Sequence, residues 1–297
     1  MQGVSMYIPD VELITSLQGR RSCVEDVLRV MERLYPEALR EEWDKVGLIV
    51  GDPAWDVSKI LLAVDIVPSV VREALGVGAD MIVTHHPLYL RGTSFVAATN
   101  YKGRIVQDLL TNHISLMNAH TNADAARRGV SEALANLFGL FHASPLQPLA
   151  SEPTLGIGRV GMLEEPTTVR TLAEQAARVL PVGKSPIRVA GDLDSEVRVL
   201  AVSPGAGDSL LSRARSAGAQ AYITSDLRHH PSSEHIEDGG PALINGSHFA
   251  TEFPWLPMAA RDLGVQFERE GLGMQICLSH TITDPWVEYF PAELKEL

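Results

Sequence analysis

Apolar side chains recur at helical spacing from Val24 to Leu34, with Val24, Val27, Leu28, Met31 and Leu34 on one stripe and Pro36 just beyond. This predicts a first helix. A turn signal follows at Gly51-Asp52-Pro53. The short apolar run Ile60 to Val64 has the character of a strand covered on both faces. Pro68 suits the first turn of a helix reaching about Leu75; Gly78 breaks it, and Met81-Ile82-Val83 begins the next strand. A strand–helix–strand unit of this kind predicts parallel neighbours. Further helices are expected over Ile105 to Leu110 and Val130 to Phe138, and a strand over Ile114 to Asn118. Residues 141–157, rich in Pro, Ser and Ala, read as a connection between lobes. A helix over Thr167 to Val179, a strand over Val197 to Val202, a helix over Asp208 to Ala217 and a strand over Ala221 to Thr224 complete the pattern.

The pattern repeats. Leu62-Ala-Val-Asp65, a helix, and Gly78-Ala-Asp-Met-Ile-Val-Thr-His85-His86-Pro87 are echoed by Leu200-Ala-Val-Ser203, a helix, and Gly218-Ala-Gln-Ala-Tyr-Ile-Thr-Ser-Asp226, with His229-His230-Pro231 close behind. The period is far too long for a solenoid. The expected fold is α/β, with two related lobes of mixed or parallel sheets. The expected boundaries are an N-terminal extension over 1–22, with Met6 as an alternative start, a first lobe over 23–140 and 245–297, and a second lobe over 141–244 that includes the connection.

Composition narrows the chemistry. The 297 residues suit two lobes, and 45% hydrophobic with 21% charged residues is an ordinary globular balance. A formal net charge of −12 opposes broad attraction to nucleic acid or anionic membranes. Two cysteines, Cys23 and Cys277, supply neither a disulfide framework nor a thiolate zinc site. With no apolar run long enough to span a bilayer and no basic–apolar leader, the expectation is a cytoplasmic protein. The soft-ligand resource is therefore the ten histidines.

Six of the histidines fall at strand ends or turns. His85-His86 follows the strand at 81–83, where ligands gather in parallel sheets. Successive side chains of an extended chain diverge, so both reach one site only if the chain bends near Pro87. Asn118-Ala-His120-Thr-Asn-Ala-Asp124 follows another strand: His120 reads as support for a ligand, and Asp124 as either a ligand or a helix N-cap. His248 and Glu252 stand four apart, on one face of a helical turn, and a His/carboxylate pair suits a divalent transition metal. Ser247 can equally cap that turn. His229 and His230 read as substrate or structural residues by symmetry with His85-His86. Ser203-Pro-Gly-Ala-Gly207 is a weak phosphate-loop signal, and a plain tight turn fits it as well.

Five motifs in order, Trp43-Asp-Lys-Val-Gly-Leu-Ile-Val-Gly51, Ala79 to Pro87, His120-Thr-Asn-Ala-Asp124, Tyr222 to His230 and Gly246 to Glu252, together with Thr283-Asp-Pro-Trp286, resemble the Nif-three-like dinuclear-metal family, often labelled GTP cyclohydrolase type 2 homologues. Lys45, Ser225 and Ser247 depart from the Asn, Gly and Gly that the resemblance leads one to expect. The resemblance implies a toroidal homohexamer and two divalent metal ions (Zn, Mn, Fe, Co or Ni) in the cleft between the lobes. The ligands carried over by position are His85, His86, Asp124, His248 and Glu252. It also implies a hydrolase that opens the guanine ring of GTP, with His120, His229 or His230 as proton carriers. Hydrolysis of another phosphoester or amide, or a metal-stabilised hexameric scaffold, are the alternative readings.

Overall fold

The computed structural model describes residues 13–14, 21–181 and 183–291. The expected extension over 1–22 therefore lies outside the described residues, apart from the backbone of Leu13–Ile14 and residues 21–22. In chain order the elements are β1 (Leu13–Ile14), α1 (Val24–Leu34), β2 (Gly47–Val50), β3 (Lys59–Ala63), α2 (Pro68–Val77), β4 (Met81–Thr84), α3 (Tyr101–Thr111), β5 (Ser115–Asn118), α4 (Thr121–Ala125) and α5 (Val130–Leu137). The second half contributes β6 (Phe141–Ser144), β7 (Gln147–Pro148), β8 (Gly156–Ile157), β9 (Arg159–Thr168), α6 (Val169–Val179), β10 (Arg188–Ala190), β11 (Glu196–Ala206), α7 (Leu211–Ser216) and β12 (Ala221–Ser225). The last elements are α8 (His229–Glu237), β13 (Ala242–Gly246), α9 (His248–Glu252), α10 (Trp255–Arg269) and β14 (Gln275–Leu278).

Two six-stranded sheets share one plan. The first runs β1-β14-β3-β4-β5-β2, with β14, β3, β4 and β5 parallel and β1 and β2 antiparallel at the edges. The second runs β10-β13-β12-β11-β9-β6, with β13, β12 and β11 parallel, β10 and β9 antiparallel to them, and β6 antiparallel to β9. The two echoed segments, β3–α2–β4 and β11–α7–β12, both form parallel pairs. The mixed α/β fold expected from the hydrophobic pattern is the one observed.

Alternation along the strands explains why the central runs are apolar throughout. Ile60, Leu62, Met81 and Val83 face α1 and α10, whereas Leu61, Ala63, Ile82 and Leu116 face α2 and α3. In the second sheet, Leu200, Val202, Ile223 and Ile244 pack on α5 and α6, and Ala201, Tyr222 and Leu243 pack on α7. Helix α2 begins with Pro68 at its first turn and ends on Gly78, whose φ of +67° only glycine adopts readily.

Two expectations change. Residues 141–157 are more than a connection: β6 edges the second sheet, β7 pairs with β8, and Leu146 between them is buried. Their Pro and Ser content hid strands too short to show alternation. The helix expected over 208–217 is a 3-10 turn over Asp208–Leu210 followed by the short α7. No helix among the described residues is long and apolar enough to cross a membrane.

Candidate metal centre

Both sheets point their parallel strand ends at one group of histidines and carboxylates. Past the end of β4, the Thr84 hydroxyl donates to the His86 carbonyl at 2.7 Å, folding the chain so that adjacent His85 and His86 rings lie 4.9 Å apart. His120 precedes α4, and Asp124 sits within that helix rather than capping it. Helix α9 places His248 and Glu252 on one face, with His248 Nε2 2.9 Å from Glu252 Oε1. Ser247 does cap α9, accepting from Ala250 N, so capping and site geometry coexist in this turn.

The four imidazoles are oriented alike. His85 Nδ1 donates to the Ala119 carbonyl (2.9 Å), His86 Nδ1 to Asp65 Oδ1 (2.8 Å), His120 Nδ1 to Asp44 Oδ2 (3.1 Å) and His248 Nδ1 to Asp226 Oδ2 (2.6 Å). A carbonyl or carboxylate only accepts, so each Nδ1 carries a proton and each Nε2 is the atom left to bind a proton or a cation. The Nε2 atoms turn inward. His86 Nε2 and His248 Nε2 are 3.3 Å apart, and His85 Nε2 lies 3.5 Å from Glu252 Oε1 and 3.7 Å from Asp124 Oδ1. Facing lone pairs repel unless a proton or cation lies between them. Glu252 Oε2 is buried, 3.3 Å from His86 Nε2, and has no hydrogen-bond partner among the described residues. Ring nitrogens anchored on their outer side, around a carboxylate with an unsatisfied buried oxygen, are the donor set a divalent cation requires.

Two sets of side chains bring ligand atoms within 4.8 Å of one another: His85, His86 and His120, and His86, His248 and Glu252. Asp124 borders the same cavity of about 600 Å³, with Trp43 at its edge.

The electrostatics of the metal-free protein follow from this crowding. Burial favours neutral imidazole at His248, but the Glu252 carboxylate prevails and raises its pKa to about 10. His85 and His86 are raised in the same way, against the same burial. Burial would raise Glu252, yet His86, His85 and His248 hold it well below the usual carboxylate range. Asp124 goes the other way: burial raises its pKa despite His85 and His120. Asp44 is fully buried, which by itself would raise it; the donors His120 and Thr121 bring it far below normal.

Pattern reading missed Asp44, Asp65 and Asp226. Two of them had a signal in the internal echo. Asp65 lies just past the first copy's opening strand, and Asp226 occupies the place of His86 in the second copy. Asp226 holds a left-handed backbone, φ +54°, at the end of β12, a conformation Asp tolerates better than most residues. By contrast, His229 and His230 lie exposed in the first turn of α8, facing each other. His229 borders a neighbouring cavity of about 470 Å³ instead of the histidine cluster. The Ser203–Gly207 loop continues β11 into the site, where Gly205 lies against Glu252 and His248.

The chain as a whole matches a known family. Residues 22–285 match the model of Duf34/NIF3 (NGG1p interacting factor 3), and the chain belongs to that family. It is 48% identical over 268 residues to a Streptomyces coelicolor protein named GTP cyclohydrolase 1 type 2 homolog, covering 90% of this chain and 94% of that one. A Mycobacterium tuberculosis protein of the same name is 31% identical over 367 aligned residues, 88% of this chain and 96% of the relative. That alignment is longer than this chain, so the mycobacterial protein carries an insertion absent here. Among solved structures, a Bacillus cereus protein related to NIF3 superposes with a TM-score of 0.85 at 23% identity, covering 90% of this chain and 99% of that one. Reduced HcgD from Methanocaldococcus jannaschii superposes at 0.72 with 26% identity, covering 89% of this chain and all of that one.

Proposed function

We propose that His85, His86, Asp124, His248 and Glu252 hold two divalent cations in the cleft between the sheets, and that the protein is a hydrolase with GTP as its candidate substrate. The observation that carries this is the partnerless Glu252 Oε2 amid inward-facing Nε2 atoms. The names of the curated relatives support the substrate. Bound divalent cations supply Lewis acidity and lower the pKa of water.

The protein's own groups do the rest. Asp65 and Asp226 fix the ring planes of His86 and His248, so the donor set needs little reorganisation. Thr283 Oγ1 donates to Asp65 Oδ2, holding that carboxylate in turn. His120, its Nδ1 proton committed to Asp44, keeps Nε2 free to take a proton from an attacking water or return it to a leaving group. Self-association as a toroidal homohexamer belongs to the same proposal, supported by exposed apolar side chains such as Phe95 and Phe290; sedimentation velocity tests it.

Elemental analysis of purified protein followed by a formate-release assay with GTP tests the function. Bound metal and turnover in the wild type, with turnover abolished in His85→Ala, are expected. Equal turnover of GTP by wild type and His85→Ala overturns it.

A further inference from the structure

The histidine pair faces two cavities. One, already described, holds Asp124 and Glu252 on its wall. The other, about 730 Å³, is lined by His86, His248, Asp65 and Asp226 and also by Lys184 and Arg188. A third cavity, about 470 Å³, shares Arg188 and Asn245 with it and continues past Arg228 and His229 to Ser232 and Ser233. The last two cavities are thus neighbours, and Arg188 and Asn245 line both.

The charges lining these two cavities are unequal in their availability. Asp65 is bound to His86 and Thr283, and Asp226 to His248. Asp284 accepts from Ser185 Oγ at 2.8 Å, and Glu288 faces Lys184 at 3.6 Å. Arg228 is paired with Asp208. Arg188 alone among these cations has no ion-pair partner among the described residues. It lies on the edge strand β10, directly across from Asn245 on β13. Asn245 has both amide atoms engaged, by Leu227 N and the Gly246 carbonyl, and so holds the strand ends rigid beside it. One carboxylate, Glu237, borders the outer cavity.

We propose that Arg188 is the anion-recognition residue of these neighbouring cavities, binding the phosphate of a phosphorylated small molecule whose reacting end reaches the His86–His248 side. A guanidinium presents a planar fork of N–H donors that matches two phosphate oxygens at once. The outer cavity adds the His229 imidazole and the Ser232 and Ser233 hydroxyls around it. Trp286 and Tyr289 wall the inner cavity with apolar surface suited to the body of the ligand. This gives His229 a part in binding, away from the cation-holding cluster. The position of the reacting end rests on the hydrolytic proposal above; the phosphate subsite stands on the two cavities themselves.

Calorimetric titration of chelator-treated protein with inorganic phosphate tests it on wild type, Arg188→Ala, Glu252→Gln and, as an exposed control outside both cavities, Arg170→Ala, with metal content measured on each as purified. Loss of the charge-assisted pair is expected to weaken phosphate binding about tenfold or more in Arg188→Ala. Metal content should stay at the wild-type level in that variant. Arg170→Ala and Glu252→Gln should bind phosphate as the wild type does. Wild-type affinity in Arg188→Ala, or loss of phosphate binding in Glu252→Gln alone, overturns the proposal. Absence of metal from every variant, with phosphate binding still dependent on Arg188, sinks the hydrolase reading and leaves the subsite standing.

Discussion

Replacing Gly205 by Ala separates two costs that the fold combines at one residue. Gly205 has φ +65°, and a methyl group there would lie 2.5 Å from Glu252 Oε1 and 3.1 Å from His248 Nε2. Glu252 cannot easily retreat. Glu252 is buried, and Gly205 N donates to Thr251 Oγ1 on the same helix at 3.0 Å. The left-handed backbone costs a non-glycine residue about 1–2 kcal/mol, and forcing a methyl into a packed site about 1–3 kcal/mol more. Gly218 supplies the control: its φ is +74°, but nothing lies within 4 Å of the added carbon. Gly218→Ala should therefore lose only the backbone part, about 1–2 kcal/mol, and keep its full metal content. Gly205→Ala should lose about 2–5 kcal/mol and most of its metal, because the methyl displaces the Glu252 carboxylate. Urea denaturation of chelator-treated protein reads the stability, and elemental analysis the metal. Equal destabilisation and equal metal content in the two variants would refute the reasoning.

Asp65→Ala and Asp226→Ala should each weaken divalent-metal binding about 10–100-fold by freeing the imidazole they orient; competition with a chromophoric chelator measures this, and wild-type affinity in both counts against the orientation argument. Ser247→Ala should destabilise the protein by about 1 kcal/mol through loss of the cap on α9, read as a shift in urea midpoint at constant slope. In metal-free protein, His248 has a raised pKa of about 10, so its contribution is complete below the free-imidazole pKa and disappears as pH rises toward 10. Glu252 is depressed, so its contribution is present above the free-carboxylate pKa and disappears as pH falls. Metal needs the deprotonated imidazoles, so the melting-temperature gain on loading should increase from pH 6 to pH 9. A gain that stays flat or shrinks contradicts ligation through these imidazoles.

Much of this arrangement was readable in one dimension because its parts are local. The stripe from Val24 to Leu34 and the run Ile60 to Val64 declare their elements through spacing alone. His248 and Glu252 share a face because four residues make about one helical turn. The anchoring carboxylates depend on distant chain segments: Asp44 meets His120 across 76 residues, and Asp65 meets Thr283 across 218. No periodicity encodes such pairs. His229 and His230 looked equivalent to His85 and His86 through sequence symmetry. The copies diverge after the strand, where α8 starts and carries both rings outward. Strands β2, β10, β13 and β14 went unassigned, and β14 gains meaning only when paired with β3, more than two hundred residues earlier.

The contact between His86 and His248 joins positions 162 residues apart, one beyond a strand of the first sheet and the other on a helix that packs against the second. A cation coordinated by both would act as a cross-link. It would close a long loop whose entropy grows only slowly with length, and would restrict the unfolded chain as a covalent bridge does. The ion would then be a mechanical fastener between halves as well as a reagent. Its removal would be felt first as relative motion of the sheets, visible as faster hydrogen exchange along β4 and α9 while α1 and α10 stay protected.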